Sequence, residues 1–235
     1  MTNIVMLNNV DHQALRVVTT RAARYGDNVM TCATYPAEFR DIQAHYPIVF
    51  HKLADGSYEP VALLGFQEGE NLFLGPQGWD VNYVPLAIER LPFLIGRNGE
   101  ELNIHIDLDN PRLSREEGEA LFLAYGGVTP YLERVTSMLK SIHEGLQDVP
   151  DFIAALREHD LLESFVADIE LEDGSQNRLY GFHTINEDKL YKLPGAALES
   201  LNREGHLLSI YMVLASMSNF RDLIERKQRA VNANA

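Results

Sequence analysis

A single cysteine, Cys32, occurs among the 235 residues, so the chain can form no internal disulfide. Thiols stay reduced in the cytoplasm, and a protein that needs no disulfide fits that compartment. The neighbours of Cys32 are Thr31 and Ala33, which supply no positive charge to lower the pKa of the thiol. We therefore predict that Cys32 is a small buried hydrophobe rather than a catalytic thiolate.

Basic residues are also scarce, because 20 lysines and arginines oppose 34 aspartates and glutamates and leave a formal net charge of −14. Such a field repels the phosphates of nucleic acids and of anionic membrane surfaces, so we predict no nucleic-acid partner. Long apolar runs are missing as well. The richest stretch, Leu207 to Met217, is too short to cross a bilayer, which predicts no membrane span.

The first ten residues lack the cationic start and the apolar run of a signal peptide. This absence and the lone cysteine together predict a soluble cytoplasmic protein. Export by a route that cleaves no signal peptide stays open as an alternative.

Motifs of the common enzyme classes are absent. The glycines between residues 65 and 78 lack the strand–loop–helix context of a phosphate-binding loop, and no serine occupies a Gly-x-Ser-x-Gly elbow. The sequence therefore assigns no catalytic residue and no cofactor, and it leaves open whether the chain is an enzyme.

The apolar pattern of the first half predicts strands. Pro47 to Leu53 and Val61 to Gly65 are β-rich runs, and the turn between them contains Asp55-Gly56, which would supply the positive φ angles of a tight hairpin. Leu102 to Leu108 alternates apolar and polar residues, as a half-buried strand does. Ser114 and Glu117 match a capping box, which predicts the start of a helix.

The second half has the spacing of helices. Thr129-Pro130 and Pro150-Asp151 are helix starts, each followed by apolar residues at helical intervals. Near the carboxyl end an apolar stripe is wide enough to serve a core and a homodimer interface together. The residues of this stripe are Leu207, Ile210, Tyr211, Leu214 and Met217. The predicted fold class is α+β, with antiparallel hairpins in the first half and helices mainly after residue 129.

A second hairpin is predicted near residues 166–182. Residues 47–74 and 164–192 have the same order of predicted elements. Each contains a strand, a turn that ends in Asp-Gly, a second strand and an acidic loop. This order indicates either an internal duplication or the frequency of Asp-Gly turns in hairpins. No linker separates the two stretches, so we predict one domain over residues 1–235.

Short motifs follow one another in a recognisable order along the chain. They are Tyr46-Pro47-Ile48-Val49-Phe50, Leu64-Gly65-Phe66, Glu70-Asn71-Leu72-Phe73, Gly78-Trp79-Asp80-Val81-Asn82-Tyr83-Val84-Pro85, Arg90-Leu91-Pro92-Phe93, Asn110-Pro111-Arg112-Leu113-Ser114 and Leu121-Phe122. In this order they resemble the bacterial SapC family, and the resemblance covers nearly the whole chain.

The resemblance implies an association with a surface layer and serum resistance. It also implies a link to nutrient uptake, since genes of this family often lie near outer-membrane receptors. The family offers no catalytic residues to carry over. A surface-layer role would be at odds with the missing signal peptide.

The block from Trp79 to Phe93 is the leading candidate for a ligand site. It holds the only tryptophan, Tyr83 and Arg90, and a guanidinium beside aromatic faces can hold a carboxylate or a flat ligand. Further polar contacts would come from Asn71 and Asp80. The alternative is that the aromatic residues wedge an irregular segment against the core.

A weaker candidate is a metal site at His105 and Asp107, which share one face of a strand. A distant histidine such as His183 would complete the two-histidine, one-carboxylate set of iron oxygenases. The alternative is that His105 and Asp107 point to water, because the opposite face of the strand is the apolar one.

These observations predict an accessory or regulatory binding protein, linked to nutrient uptake, that holds a small or peptide-like ligand. Two alternatives stay open: an enzyme, either a metal-dependent oxygenase or a hydrolase, and a structural component of a surface layer.

Overall fold

The computed structural model describes residues 3–98 and 101–234. Its strands are β1 (Ile4–Met6), β2 (Arg16–Val17), β3 (Thr31–Ala33), β4 (Ile48–Lys52), β5 (Tyr58–Leu63), β6 (Leu74–Gly75), β7 (Gly78–Trp79), β8 (Phe93–Asn98), β9 (Glu101–Asp107), β10 (Leu113–Ser114), β11 (Glu119–Ala120), β12 (Leu162–Glu170) and β13 (Gln176–Ile185). Its α-helices are α1 (Phe39–Ile42), α2 (Leu86–Glu89), α3 (Pro130–Gln147), α4 (Val149–Glu158), α5 (Glu187–Tyr191), α6 (Gly195–Arg203), α7 (His206–Ser216) and α8 (Asn219–Asn234). This order confirms an α+β fold with most helices after residue 129.

The chain divides into two compact units. The first unit comprises Met1–Asp27, Leu74–Trp79 and Leu86–Glu144. The second unit comprises Asn28–Phe73, Asp80–Pro85 and Gly145–Ala235. The single domain over residues 1–235 stays a prediction.

The first unit contains three small antiparallel sheets, in the orders β1-β9-β8, β10-β2-β11 and β6-β7. Of the apolar residues predicted to share one face of β9, Ile106 is fully buried, whereas Leu102 at the start of the strand is exposed. The amide of Leu132 donates to the hydroxyl of Thr129 at 3.3 Å, so Thr129 caps α3 as predicted. The core of this unit consists of Leu15, Val17, Phe93, Ile106, Leu121, Leu132, Val135 and Leu139.

A buried ion pair lies within this unit. The guanidinium of Arg112 is 1% exposed and its Nη2 donates to Asp27 at 2.5 Å, while the Asp27 side chain is fully buried. Nη1 of Arg112 donates to the carbonyl oxygens of Val18 and Thr20, each at 3.0 Å. The ring of Tyr25 lies 5.4 Å from the guanidinium. This one side chain therefore contacts two backbone oxygens and two side chains of the segment from Val18 to Asp27.

The capping box predicted at Ser114 does not start a helix. The hydroxyl of Ser114 accepts from the amides of Glu116 and Glu117 at 3.1 and 3.2 Å, as a cap would. The chain then returns to β2, where Glu119 pairs with Val17. Pairing with a strand distant in sequence overrides the local helix signal.

The second unit is built on one antiparallel sheet in the order β12-β13-β4-β5-β3. Helix α7 lies against β4 and β13, and α4 lies against β5. Phe152 of α4 is fully buried, and its ring lies 5.8 Å from that of Phe39 and 6.3 Å from that of Phe50. Apolar residues that follow Pro150 in the sequence thus face the core.

Both predicted hairpins are present in this sheet, as β4–β5 and β12–β13. Their turns contain the same side-chain hydrogen bonds. Only the glycines, Gly56 and Gly174, adopt a positive φ, of 84° and 82°. The prediction that Asp55 shares this conformation is wrong. Its carboxylate instead accepts from the amide and the hydroxyl of Ser57, as Asp173 accepts from Ser175 in the second turn. The internal duplication itself stays a prediction.

The face predicted for α7 is corrected. Its buried residues are Ser209, Ile210, Val213 and Ser216, whereas Tyr211 is 53% exposed. Small serines allow the helix to approach the sheet closely, and the hydroxyl of Ser216 accepts from the amide of Ile48 at 2.8 Å. Ile210 is the one residue of the predicted stripe that is fully buried, so the stripe overlaps the buried face of α7 only in part. The homodimer interface stays a prediction.

One segment of the described chain, His206–Ala233, is long and apolar enough by length and composition to cross a membrane. The buried core helix of a soluble protein can pass the same test. The segment comprises α7 and most of α8, and Arg226 and Lys227 of α8 form ion pairs within the second unit. The absence of a membrane span stays a prediction.

Removal of the Arg112 side chain should destabilise the protein strongly, because it leaves Asp27 buried without a counter-charge. We expect Arg112→Ala to lower the free energy of unfolding by about 3–5 kcal/mol. As a control, Arg178→Ala breaks an exposed ion pair with Asp168 and should change the free energy of unfolding by less than about 1 kcal/mol. Chemical denaturation measures both, and equal losses would contradict the structural role of the buried pair.

The two hairpin turns should respond alike to substitution. Nothing lies within 4 Å of a Cβ added at Gly56 or Gly174, so alanine there meets only the conformational penalty of a positive φ. We expect each variant to lose about 1 kcal/mol of stability. Gly195→Ala is the control, because Gly195 starts α6 in open space without a positive φ and should be neutral or stabilising.

Candidate functional site

The five residues predicted to bind a ligand are distributed over both units. Trp79 and Arg90 belong to the first unit, whereas Asn71, Asp80 and Tyr83 belong to the second. Their surroundings are described unit by unit.

Arg90 follows α2 and is half-buried. Its Nη1 donates to the carbonyl oxygen of Phe93 at 2.6 Å. Burial lowers the pKa of the guanidinium, and no neighbouring carboxylate offsets that effect. Among the described residues no ion pair reaches Arg90. Most of its hydrogen-bond donors are therefore left for water or a ligand.

Trp79 is half-buried at the end of β7, where it pairs with Leu74 in the β6–β7 hairpin. The turn of this hairpin contains Pro76, which lacks a backbone donor and ends the preceding strand. The hairpin thus fixes the backbone of the only tryptophan in the chain.

Asp80 holds the last helix of the second unit. Both of its carboxylate oxygens accept from Nη1 of Arg226, at 2.9 and 2.6 Å. The guanidinium of Arg226 also bonds Asp222 at 2.7 Å and lies 4.4 Å from the centre of the Phe73 ring. The nearby Asn71 accepts from the amide of Phe73 at 3.0 Å, which shapes the turn before it. Both polar side chains are used to build the unit.

Tyr83 donates to a buried carboxylate that the sequence did not reveal, that of Glu38, at 2.9 Å. The hydroxyl of Thr34 donates to the other oxygen of Glu38 at 2.8 Å. Burial and the negative charge of Glu38 raise the pKa of Tyr83. The hydroxyl of Tyr46 donates in turn to the carbonyl oxygen of Tyr83. These contacts place Tyr83 inside a polar network of the core.

Cys32 is buried near the same network, which confirms its predicted role as a small hydrophobe. Burial raises the pKa of its thiol, and the charge of Glu38 raises it further. A thiol in this environment stays protonated at neutral pH and is a poor nucleophile.

The metal candidates have packing partners. The ring of His105 lies over Gly96 on the neighbouring strand, so closely that a Cβ at Gly96 would be 2.1 Å from the ring. In the second unit, the ring of His183 meets that of Tyr58 edge-on at 4.9 Å, and burial followed by the charge of Lys52 lowers the pKa of His183. Asp107 accepts from the amide of Asp109 at 3.2 Å. Within residues 3–98 and 101–234, no three histidine, cysteine, aspartate or glutamate side chains form a group that could hold a metal ion.

A groove of about 540 Å³ opens in the second unit beside the edge strand β3. Its walls include Met30, Thr31, His51 and Phe182. This volume lies within the range of small-ligand sites. No sequence motif indicated it, because its residues come from four separate parts of the chain.

The profile of the SapC family matches residues 7–223 of the chain. The chain belongs to the SapC family. No curated protein and no solved structure matches it. Two residues of the SapC motifs quoted above have a structural role in this protein. Arg112 forms the buried ion pair with Asp27 in the first unit. Asp80 forms an ion pair with Arg226 of α8 in the second unit.

The raised pKa values of Cys32 and Tyr83 predict that this SapC protein loses stability in alkali. Above the ordinary pKa values of about 8.5 for cysteine and about 10 for tyrosine, the unfolded chain releases these protons while the folded chain retains them. Stability is therefore maintained below about pH 8 and falls as the pH rises. Thermal melts at pH 8 and pH 10.5 measure the loss.

The control for this prediction is the double variant Cys32→Ala, Tyr83→Phe, which lacks both groups and should show a smaller difference between the two melting temperatures. An unchanged difference would mean that other groups cause the alkaline loss. In the same folded protein, a thiol reagent at pH 8 should leave Cys32 unmodified until denaturant is added.

Proposed function

We propose that this SapC-family protein is a cytoplasmic accessory or regulatory binding protein linked to nutrient uptake. In this proposal Arg90 recognises a carboxylate or another anionic group of a small or peptide-like ligand. Family membership supports the general role, and the surroundings of Arg90 support the ligand chemistry.

The observation that carries the proposal is the uncompensated charge of Arg90. Other arginines that are largely removed from solvent have carboxylate partners: Arg112 pairs with Asp27 in the first unit. Arg226 pairs with Asp80 in the second. Arg90 is half-buried with one carbonyl partner, and the charge of a guanidinium cannot be removed by deprotonation in a protein. An anionic ligand would supply the missing counter-charge.

Within the proposed site, Trp79 offers a partly accessible aromatic face in the same unit as Arg90. An indole and a guanidinium together suit a flat anionic ligand, because one stacks and the other forms forked hydrogen bonds. Asn71, Asp80 and Tyr83 are hydrogen-bonded within the second unit, where they help to hold its structure together. The exposed Tyr211 on α7 is consistent with the proposed homodimer.

Replacement of Arg90 tests this function. We expect Arg90→Ala to leave the melting temperature nearly unchanged and to reduce the bound ligand at least about tenfold, the effect of one lost charged hydrogen bond. Arg90→Lys keeps the positive charge but lacks the paired donors of a guanidinium. Its ligand occupancy should therefore lie between that of the unmodified protein and that of Arg90→Ala. Native mass spectrometry of freshly purified protein, with elemental analysis, measures bound ligand, metal and oligomeric state together.

Arg134→Ala is the matched control, since it removes one exposed arginine from the same unit. It should leave ligand occupancy unchanged. A large drop in the melting temperature of Arg90→Ala with unchanged occupancy would show that Arg90 serves the fold rather than recognition.

A further inference from the structure

Arg21 is a second arginine of the first unit whose charge is only partly compensated. Its side chain is 14% exposed, and its Nη1 lies 3.5 Å from Oδ1 of Asp27. The same oxygen accepts from Nη2 of Arg112 at 2.5 Å, so two guanidinium groups share one carboxylate oxygen. A separation of 3.5 Å is long for a charged hydrogen bond, whereas 2.5 Å is short. Asp27 therefore serves mainly Arg112.

The charges and donors of this cluster do not balance. The other oxygen of Asp27 accepts from the amide of Ala22 at 2.8 Å. Nε of Arg112 is buried without a hydrogen-bond partner. Nε and Nη2 of Arg21 form no hydrogen bond with any described residue, which leaves them for water or a ligand. Glu89 is another carboxylate whose charge acts on Arg21, but it is exposed and forms no ion pair with it. The cluster thus retains positive charge and donors for an anion.

Arg21 also contacts the two segments of the first unit that carry the candidate site. Its Nη1 donates to the carbonyl oxygen of Ile88 at 3.3 Å, near the end of α2. Arg90 follows Ile88 by two residues, which is within one helical turn of about 5.4 Å. On the other side, a Cβ placed at Gly78 would lie 3.6 Å from the carbonyl oxygen of Arg21. Arg21 therefore lies beside the strand of Trp79 and beside the turn that leads to Arg90.

The fold of α2 does not require this contact. The amide of Leu91 already donates to the carbonyl oxygen of Ile88 at 3.2 Å, so that oxygen has a partner without Arg21. Burial lowers the pKa of the Arg21 guanidinium, and the charge of Arg112 lowers it further. The surroundings of Arg21 therefore disfavour its positive charge, and a bound anion would relieve this.

We infer that Arg21 is a second anion-binding residue of the site proposed at Arg90, and that the ligand of this site is a dicarboxylate. The inference rests on the proposed function. Each guanidinium is attached to its own carbonyl oxygen, Arg21 to that of Ile88 and Arg90 to that of Phe93. The two charges are thus held at separate positions. Separate charges match two carboxylates better than one dianionic group such as phosphate.

Titration calorimetry of the full chain with benzoate and with the three benzenedicarboxylates tests the inference. These acids share a flat ring and differ in the second carboxylate. We expect one dicarboxylate to bind at least about tenfold more tightly than benzoate, and Arg21→Gln to remove most of this preference. Arg21→Lys keeps the charge without the paired donors and should retain part of it. The matched control, Arg115→Gln, removes an exposed arginine from the same unit and should leave the preference unchanged.

The ratio of the two affinities separates recognition from structure. If Arg21 served only the fold, Arg21→Gln would weaken benzoate and the dicarboxylate alike, and the unchanged ratio would overturn the inference. Should Arg21→Gln fail to fold, Arg21→Lys gives the same comparison. Inorganic phosphate that binds as tightly as the best dicarboxylate would also overturn it.

Failure of the inference can be distinguished from failure of the proposed function. Benzoate binding that depends on Arg90, with no dicarboxylate binding more tightly, would overturn the role of Arg21 and leave that of Arg90 intact. Absence of saturable binding by every dicarboxylate would overturn the inference as well. The ligand occupancy of Arg90→Ala decides the proposed function independently.

Discussion

The buried ion pair between Arg112 and Asp27 is the constraint around which the first unit is arranged. Asp27 ends the first segment of this unit, and Arg112 lies more than eighty residues later, before β10. Burial of a guanidinium is costly unless its charge is paired and most of its donors are hydrogen-bonded. The backbone after β2 must therefore bring the carbonyl oxygens of Val18 and Thr20 to this side chain. Hydrophobic burial supplies most of the stability, but this pair determines which backbone arrangement can be buried.

Ion pairs of the same kind fix the last helix in the second unit. Arg226 bonds Asp80, and Lys227 bonds Glu70 at 2.5 Å, so α8 is attached at two successive residues. These pairs are less buried than that of Arg112, and their main contribution is the position of the helix. Arg90 has no ion-pair partner among the described residues, and its charge is one that we propose is available for recognition.

Local signals explain why much of the fold could be predicted. The Asp-Gly turns formed both hairpins, Thr129 capped α3, and the alternation along β9 placed Ile106 in the core, because each depends on residues close in sequence. The SapC motifs likewise identified the family from their order alone. The candidate site was less predictable. Asn71, Asp80 and Tyr83 have partners, such as Arg226 and Glu38, that no spacing rule connects to them.

By itself, the sequence determined the fold class, the lack of an internal disulfide, both hairpins and the family. Only the tertiary structure decided that Arg112 is buried against Asp27, that α7 packs through its serines, and that Ser114 leads into a strand pairing. The physical reason is that local backbone preferences are set by neighbouring residues. Burial of a charge or the choice of a helix face depends instead on a partner far along the chain, and that partner exists only once the chain has folded.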